Sequence, residues 1–308
     1  MKAVTVTAFG TPPVLREDVP EPITGPWQVL VRVQASSVNW LDADIAYGTL
    51  KDMAPHELPI TLGRDFAGIV EAVGEGISEV EVDDEVFGAV PMAETARDGA
   101  WAELVVTGGH TLTRKPAHID TATAGAAALT ASTALMTVDA LDLAPGDTVL
   151  VVGATGGVGG IAVQLARAAG AVVLAPGLPE DEEYLRALGA SDVLERGGDL
   201  VAAVRRKHPG GVDALVDAVT AYEITPFAGV VKDGGRIASP TYAAGYGPGR
   251  TNVVHGPCPE ILGRVARHLA DGTIRNPVGR TYALADAATA LQVFATRHTH
   301  GKIALRVA

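Results

Sequence analysis

The stretch TVLVVGATGGVGGIAVQLARAAG, Thr148 to Gly170, decides the fold. Val149 to Val152 form a continuous apolar run, the pattern of a short buried strand. Gly153, Gly156, Gly157 and Gly159 then crowd one turn, where residues without a Cβ let the backbone take positive φ and approach a ligand closely. In the helix pattern that follows, Ile161, Leu165 and the small Ala162, Ala166 and Ala169 share a face, and Gly170 stands where a C-terminal cap falls. A helix N-terminus offers unpaired N–H groups and a positive dipole end to a pyrophosphate. Ala154, Thr155, Gly156, Gly157, Val158 and Gly159 are therefore candidate cofactor-binding residues. A glycine-rich turn alone also serves tight packing; the strand and helix patterns downstream favour a dinucleotide site.

Those patterns span the chain. Residues 1 to about 115 read as short strands, among them VLVRVQASSV from Val29, DFAGIVEAV from Asp65 and AWAELVVT from Ala100, punctuated by Gly, Pro and Asp. From about 121 to 256 strand and helix alternate: Val172–Ala175, Glu182–Gly189, Asp192–Leu194, Asp199–Lys207, Ala214–Val219 and Gly235–Ser239. Such alternation predicts an α/β fold with a doubly wound parallel sheet of the Rossmann kind. The tail holds two amphipathic helices, around 260–270 and 286–296, and the strand KIALRV from Lys302. The expected organisation is a β-rich domain of residues 1–120 and 257–308 around a Rossmann domain of 121–256, with the cleft between them as the natural active site.

At 308 residues the chain suits two domains. Hydrophobic residues make up 47% and no apolar run is long enough to span a bilayer. The single cysteine, Cys258, excludes an intramolecular disulfide, and the opening MKAVTVTAFG lacks the apolar core of a secretory leader, so a cytoplasmic protein is expected. A net charge of −12 without a basic stretch argues against nucleic acid or an anionic membrane as partner.

The ordered segments MKAVTVTAFGTPPVL, SSVNWLDADIAYG (Ser36–Gly48), LPITLGRDFAGIVEAVGEGISEVEVDDEVFG (Leu58–Gly88), ALTASTAL (Ala128–Leu135), the glycine turn, LGASDVL, VDALVDAV, DGGRIAS and GKIALRV resemble the medium-chain dehydrogenase/reductases. Within that superfamily the chain is most similar to the zinc-independent, zeta-crystallin-like quinone oxidoreductase branch. The resemblance implies a GroES-like β-rich catalytic domain joined to a Rossmann domain, usually as a homodimer. Zinc members carry a cysteine where this chain has Asn39, and Gly-His-Glu where it has Gly63, Arg64 and Asp65. Zinc catalysis needs about three N or S ligands around an open position, neither place supplies one that zinc would take in preference to water, and the nearby His56 has no companion ligands in the sequence. No metal is expected.

Without metal, the substrate carbonyl must be polarised by hydrogen-bond donors. Asn39 matches the family asparagine near the nicotinamide ribose, yet Asn39 with Asp42 three residues on equally has the spacing of a helix cap. Thr130 resembles a threonine on the carboxamide side, or packs as an ordinary helix residue. Relatives often carry a catalytic tyrosine at positions that here are Asp44 and Leu50; Tyr47, between them, is a candidate acid or a helix-end aromatic. Arg64 is a candidate donor, or the partner of Asp42 or Asp65. The turn at Val82, Asp83 and Asp84 lacks the family glycine.

Cofactor choice is written after the second Rossmann strand, where Ala175, Pro176, Gly177, Leu178 and Pro179 carry neither the acid of an NAD site nor the base of an NADP site. The family's phosphate-binding lysine is Asp181 here, but Arg196 takes the place of a tyrosine lining the same phosphate. Lys302 holds another cofactor-side position of the family, or is a surface lysine. NADPH is expected, with NADH possible. The expected function is a metal-free, NAD(P)H-dependent quinone oxidoreductase or enone reductase acting on a small molecule. An enoyl-thioester reductase of fatty-acid or polyketide synthesis is the nearest alternative; a non-catalytic NADPH-binding structural or RNA-binding protein is the alternative of another class.

Overall fold

The computed structural model describes residues 1–52, 55–92, 97–254 and 256–307. The chain folds into two compact units: Met1–Leu129 with Gly256–Ala270 and Asn276–Ala308, and Thr130–His255 with Asp271–Arg275.

Alternating apolar residues build the strands of the first unit, β1 (Ala3–Val6), β2 (Val14–Arg16) and β3 (Gln28–Ser37). In β3, Val29, Val31, Val33 and Ala35 are buried while Arg32 faces water, the period of two of a half-buried strand. Next come α1 (Trp40–Tyr47), β4 (Ile60–Thr61), β5 (Asp65–Val73), β6 (Glu85–Ala89), β7 (Leu104–Gly108), β8 (Leu112–Arg114), α2 (Thr121–Gly125) and α3 (Ala128–Asp139). Asp83, in the turn before β6, holds a left-handed conformation at φ 74° that glycine would adopt without strain. The short helix α2 packs on β3 and β5 with Gly125 against Ala35, and so residues 121–129 belong to the first unit.

The second unit holds β9 (Thr148–Val152), α4 (Gly157–Ala168), β10 (Val172–Gly177), α5 (Glu182–Leu188), β11 (Asp192–Glu195), α6 (Leu200–Lys207), β12 (Val212–Asp217), β13 (Val231–Ser239) and β14 (Arg250–Asn252). Its strands lie in the order β11-β10-β9-β12-β13-β14, every neighbouring pair parallel. This is the doubly wound order in which the first strand sits centrally and the connections turn back at it. The apolar runs of β9 and β12 are buried, as a strand covered on both faces requires.

The chain then returns to the first unit through α7 (Pro259–Ala270), β15 (Val278–Ala283), α8 (Ala287–Thr296) and β16 (Lys302–Arg306). β16 pairs antiparallel with β3, Ala304 opposite Ser37, and closes a seven-stranded sheet of order β15-β16-β3-β5-β6-β8 with β7 also on β3. The fully buried Trp101 donates its indole N–H to Ser37 O at 2.9 Å, so its polar atom is satisfied inside the core. Among the described residues no helix is long and apolar enough to cross a membrane.

Two glycines of the β9–α4 turn have separate duties. Gly153 takes φ 89°, and a Cβ on Gly159 would stand 2.1 Å from Gly153 O, so the helix start can lie against the turn only because Gly159 has none. Gly156 caps α4 in extended backbone, with a Cβ position 3.4 Å from Gly153 O and nothing closer. Gly159→Ala should therefore destabilise the fold by about 1–3 kcal/mol in thermal unfolding. Gly156→Ser, which supplies a good N-cap residue, should stay within about 0.5 kcal/mol. Equal losses would contradict this division of duties.

Candidate active site

The first unit gathers charge at the end of β3. Asn39 caps α1 with extended backbone (φ −128°, ψ 161°), and Asp42, three residues on, accepts a hydrogen bond from the Asn39 backbone N–H at 2.8 Å. The capping reading of this pair is thus realised. The other Asp42 oxygen accepts from Gly63 N at 2.9 Å, which ties the start of α1 to the segment entering β5. Burial pushes the Asp42 carboxyl up to about 6, against the opposing field of Arg64 and the two backbone N–H groups.

Asp65 begins β5 fully buried, and its carboxylate is heavily engaged. Oδ2 accepts from Ser37 Oγ at 2.7 Å and Asn39 Nδ2 at 3.0 Å, with Lys302 Nζ at 3.7 Å; Oδ1 accepts from Leu129 N at 2.6 Å. Lys302 is buried as well, and its ammonium donates to Asn39 Oδ1 at 2.5 Å and Val38 O at 3.0 Å. Burial pushes the Lys302 ammonium down while Asp65 and Asp42 oppose the shift. The surface reading of Lys302 fails, because β16 carries it into the sheet. The Asn39 amide is held from both ends: its oxygen faces Lys302, and its nitrogen faces Asp65 and, at 3.3 Å, Ser37.

Arg64 lies between these carboxylates in sequence yet pairs with neither. It is 1% exposed, and among the described residues no group hydrogen-bonds its Nε or Nη2 and no carboxylate forms an ion pair with it. The expected partnership with Asp42 or Asp65 is absent because both acids spend their oxygens on backbone N–H groups, Ser37, Asn39 and Lys302. Burial pushes the guanidinium down, against the fields of Asp42 and Asp98. Tyr47 stands apart in the last turn of α1, 51% exposed, before the left-handed cap at Gly48.

The second unit brings the cofactor candidates to the carboxyl ends of three adjacent strands. The Gly153–Gly159 turn follows β9, with Gly156 N bonded to Gly153 O at 3.0 Å and Gly160 N to Gly156 O at 2.9 Å. Ala154 and Thr155 are buried, and Gly156, Gly157 and Val158 half-buried at the N-terminus of α4. Gly177 ends β10, and Arg196 N donates to its carbonyl at 2.9 Å, so the exposed Arg196 stands beside it just after β11. Asp181 is buried and turns Oδ2 to Leu178 N at 2.8 Å, capping the turn after β10. Thr130 is buried on α3.

Asn39, Arg64 and Lys302 are each marked in the sequence; that Asn39 and Lys302, 263 positions apart, bond directly is a product of β16 pairing. Ser37 and the part Asp65 plays as hub carry no such mark, since a serine at a strand end has no local feature distinguishing it.

Comparison with known proteins gives the family of the chain. Residues 25–117 match the Alcohol dehydrogenase GroES-like domain family, and residues 157–251 the Zinc-binding dehydrogenase family. A quinone oxidoreductase of Lama guanicoe is 34% identical over 245 residues, 77% of this chain and 72% of that protein. The phthioceranic/hydroxyphthioceranic acid synthase of Mycobacterium tuberculosis is 34% identical over 307 residues; the chain, 92% of it aligned, spans about 14% of that protein's length. The solved quinone oxidoreductase of Coxiella burnetii superposes with a TM-score of 0.88 at 27% identity, covering 100% of this chain and 99% of that one. With its GroES-like and Rossmann halves both accounted for, the chain belongs to the medium-chain dehydrogenase/reductase superfamily, in the quinone oxidoreductase-like branch.

Proposed function

We propose that this protein reduces a quinone, or the activated C=C bond of an enone, with NADPH and without zinc. The observation that carries the zinc-free reading is the buried cluster of Asp65, Asn39 and Lys302. A metal ion there would compete with Lys302, Ser37, Asn39 and Leu129 for one carboxylate, beside a second buried cation, Arg64. Zinc sites are built from uncommitted N, S or carboxylate donors, and this set does not suit the metal.

The cofactor, when bound, supplies hydride. Residues 154–159 and the N-terminus of α4 suit its pyrophosphate, because the helix start presents backbone N–H groups and a positive dipole end there. Gly177 and Arg196 are assigned to the adenosine end, with Arg196 as the charge for a 2′-phosphate, working against the field of the buried Asp181. Thr130 and Asn39 are assigned to the nicotinamide end, and Lys302 acts there through Asn39 by orienting its amide. Arg64 and Tyr47 are the candidate donors to substrate oxygen and carbon. A homodimer in the cytoplasm is part of this reading, and the quinone oxidoreductase relatives support a small-molecule substrate.

A second reading, reduction of an enoyl thioester, is favoured by the likeness to the mycobacterial synthase over 92% of this chain. A panel of quinones, enones and enoyl thioesters, followed by NADPH oxidation, separates the two. Turnover of quinones or enones is expected; turnover of thioesters alone would replace the first reading with the second.

Three outcomes are expected. Elemental analysis should find no stoichiometric zinc, and chelators should leave activity intact; about one tightly held zinc per chain would refute the metal-free reading. Arg196→Ala should weaken NADPH binding by about 1–3 kcal/mol with NADH almost unaffected, whereas equal losses would assign the arginine to the fold. Tyr47→Phe should lower enone turnover by ~10²-fold and barely alter quinone reduction, since a quinone can take its protons from water. Small parallel losses would remove Tyr47 from the mechanism.

A further inference from the structure

Separate strands meet at the Asn39 amide: Ser37 ends β3, Asp65 begins β5 and Lys302 begins β16, and all four residues are buried. Lys302 Nζ donates to the amide oxygen at 2.5 Å, while the amide nitrogen donates to Asp65 Oδ2 at 3.0 Å and Ser37 Oγ at 3.3 Å. Ser37 Oγ spends its own hydrogen on Asp65 Oδ2 at 2.7 Å, so it meets Asn39 as an acceptor. An ammonium can only donate and a carboxylate only accept, which leaves the amide one orientation. Turned over, it would set N–H against the ammonium and oxygen against the carboxylate.

A buried ion pair is a poor source of stability, since well-packed neutral residues in its place are often as good or better. The other contacts of this pair do not call for charge either. Lys302 donates to Val38 O at 3.0 Å, and Asp65 Oδ1 accepts from Leu129 N at 2.6 Å. A neutral donor and a neutral acceptor would serve both. What only opposite charges supply is the direction of the amide between them.

We propose that Asp65 and Lys302 are positioning residues for hydride transfer, an ion pair kept for the direction it imposes on the Asn39 amide, with Ser37 as a further contact. The proposal rests on the assignment of Asn39 to the nicotinamide end of the cofactor. A flipped amide exchanges an acceptor for a donor at the same place. Hydride transfer tolerates little misplacement, a displacement of about 1 Å costing about 10²-fold. Asp65 is the centre of the device, because its Oδ2 touches Ser37 and Asn39 and faces Lys302 at 3.7 Å.

The test compares wild type with Lys302→Met, Asp65→Asn/Lys302→Met and Asn39→Ala. Lys302→Met alone should lower the melting temperature, because it leaves Asp65 buried without its counter-charge. Adding Asp65→Asn should return the melting temperature to near that of wild type while kcat stays about 10²-fold down. The isotope effect on kcat with NADPH deuterated at the nicotinamide C4 should rise in that double variant, as hydride transfer becomes the slow step. Its affinity for NADPH should fall about tenfold, and that for adenosine 2′,5′-bisphosphate, which lacks the nicotinamide, should stay within about twofold. In the Asn39→Ala background the same two changes should lower kcat by less than about threefold more, since the pair acts through the amide.

A folded double variant with wild-type kcat and isotope effect would overturn the proposal, as would equal losses for NADPH and the bisphosphate. Losses that add in full to that of Asn39→Ala would overturn it too. If the double variant does not fold, Ser37→Ala decides, because it removes one contact and neither charge. Lower kcat with unchanged affinity for the bisphosphate would then uphold the proposal, and unchanged kcat would overturn it. Wild-type protein that binds NADPH yet reduces neither quinone nor enone would refute the reductase reading. The ratio of NADPH to bisphosphate affinity would then decide the proposal by itself.

Discussion

The pairing of β16 with β3 is the constraint on which the chemistry of the first unit depends. It sets Ala304 opposite Ser37 and thereby carries the Lys302 ammonium to Asn39 and Asp65. An ammonium and a carboxylate removed from water are stable only when they face each other and their remaining hydrogen-bonding capacity is used. That condition is met: Asp65 accepts from Ser37, Asn39 and Leu129, and Lys302 donates to Val38 and Asn39. Slipping β16 by one residue would turn Lys302 to the other face of the sheet and leave Asp65 buried without its counter-charge.

Seen from that pairing, the orientation of Asn39 and the lack of an ion pair at Arg64 among the described residues have one cause. Once Lys302 and Ser37 have claimed Asp65, and two backbone N–H groups have claimed Asp42, neither carboxylate is left to turn toward the guanidinium. Asp42 and Asp98 still act on Arg64 through their fields. The site thus combines a locked amide with a buried cation whose side-chain nitrogens Nε and Nη2 have no hydrogen-bond partner among the described residues.

The second unit places its constraints in the backbone. Gly153 and Gly159 let α4 begin against the end of β9, which sets where the N–H groups of the helix start stand. Tyr222 and Tyr242 hold left-handed backbone with large side chains, a conformation that glycine fills elsewhere in this chain, as at Gly153. Their turns hold because hydroxyls of Ser239 and Thr241 and the carboxylate of Asp217 replace the hydrogen bonds that regular structure would supply.

The parallel sheet, its glycine turn and the return of the last strand were all legible in the sequence, because each rests on local periodicity and on residue types with one main conformational use. The pattern of Val149 to Val152 followed by Gly153 and Gly159 reads the same with or without the rest of the chain. The Asn39 cap was legible too, as a four-residue device, although not the hold that Lys302 and Asp65 take on its amide. Which partners Asp65, Arg64 and Lys302 take was not, since contacts between residues as far apart as 39 and 302 depend on strand register. Nor was the stacking of Tyr222 on Tyr242, which arises only when the loops after β12 and β13 are brought side by side. The sequence by itself determined which elements form and where the glycine turn lies between β9 and α4. The tertiary structure decided which charges meet, because burial makes every ionised group depend on neighbours that the fold, not the local chain, supplies.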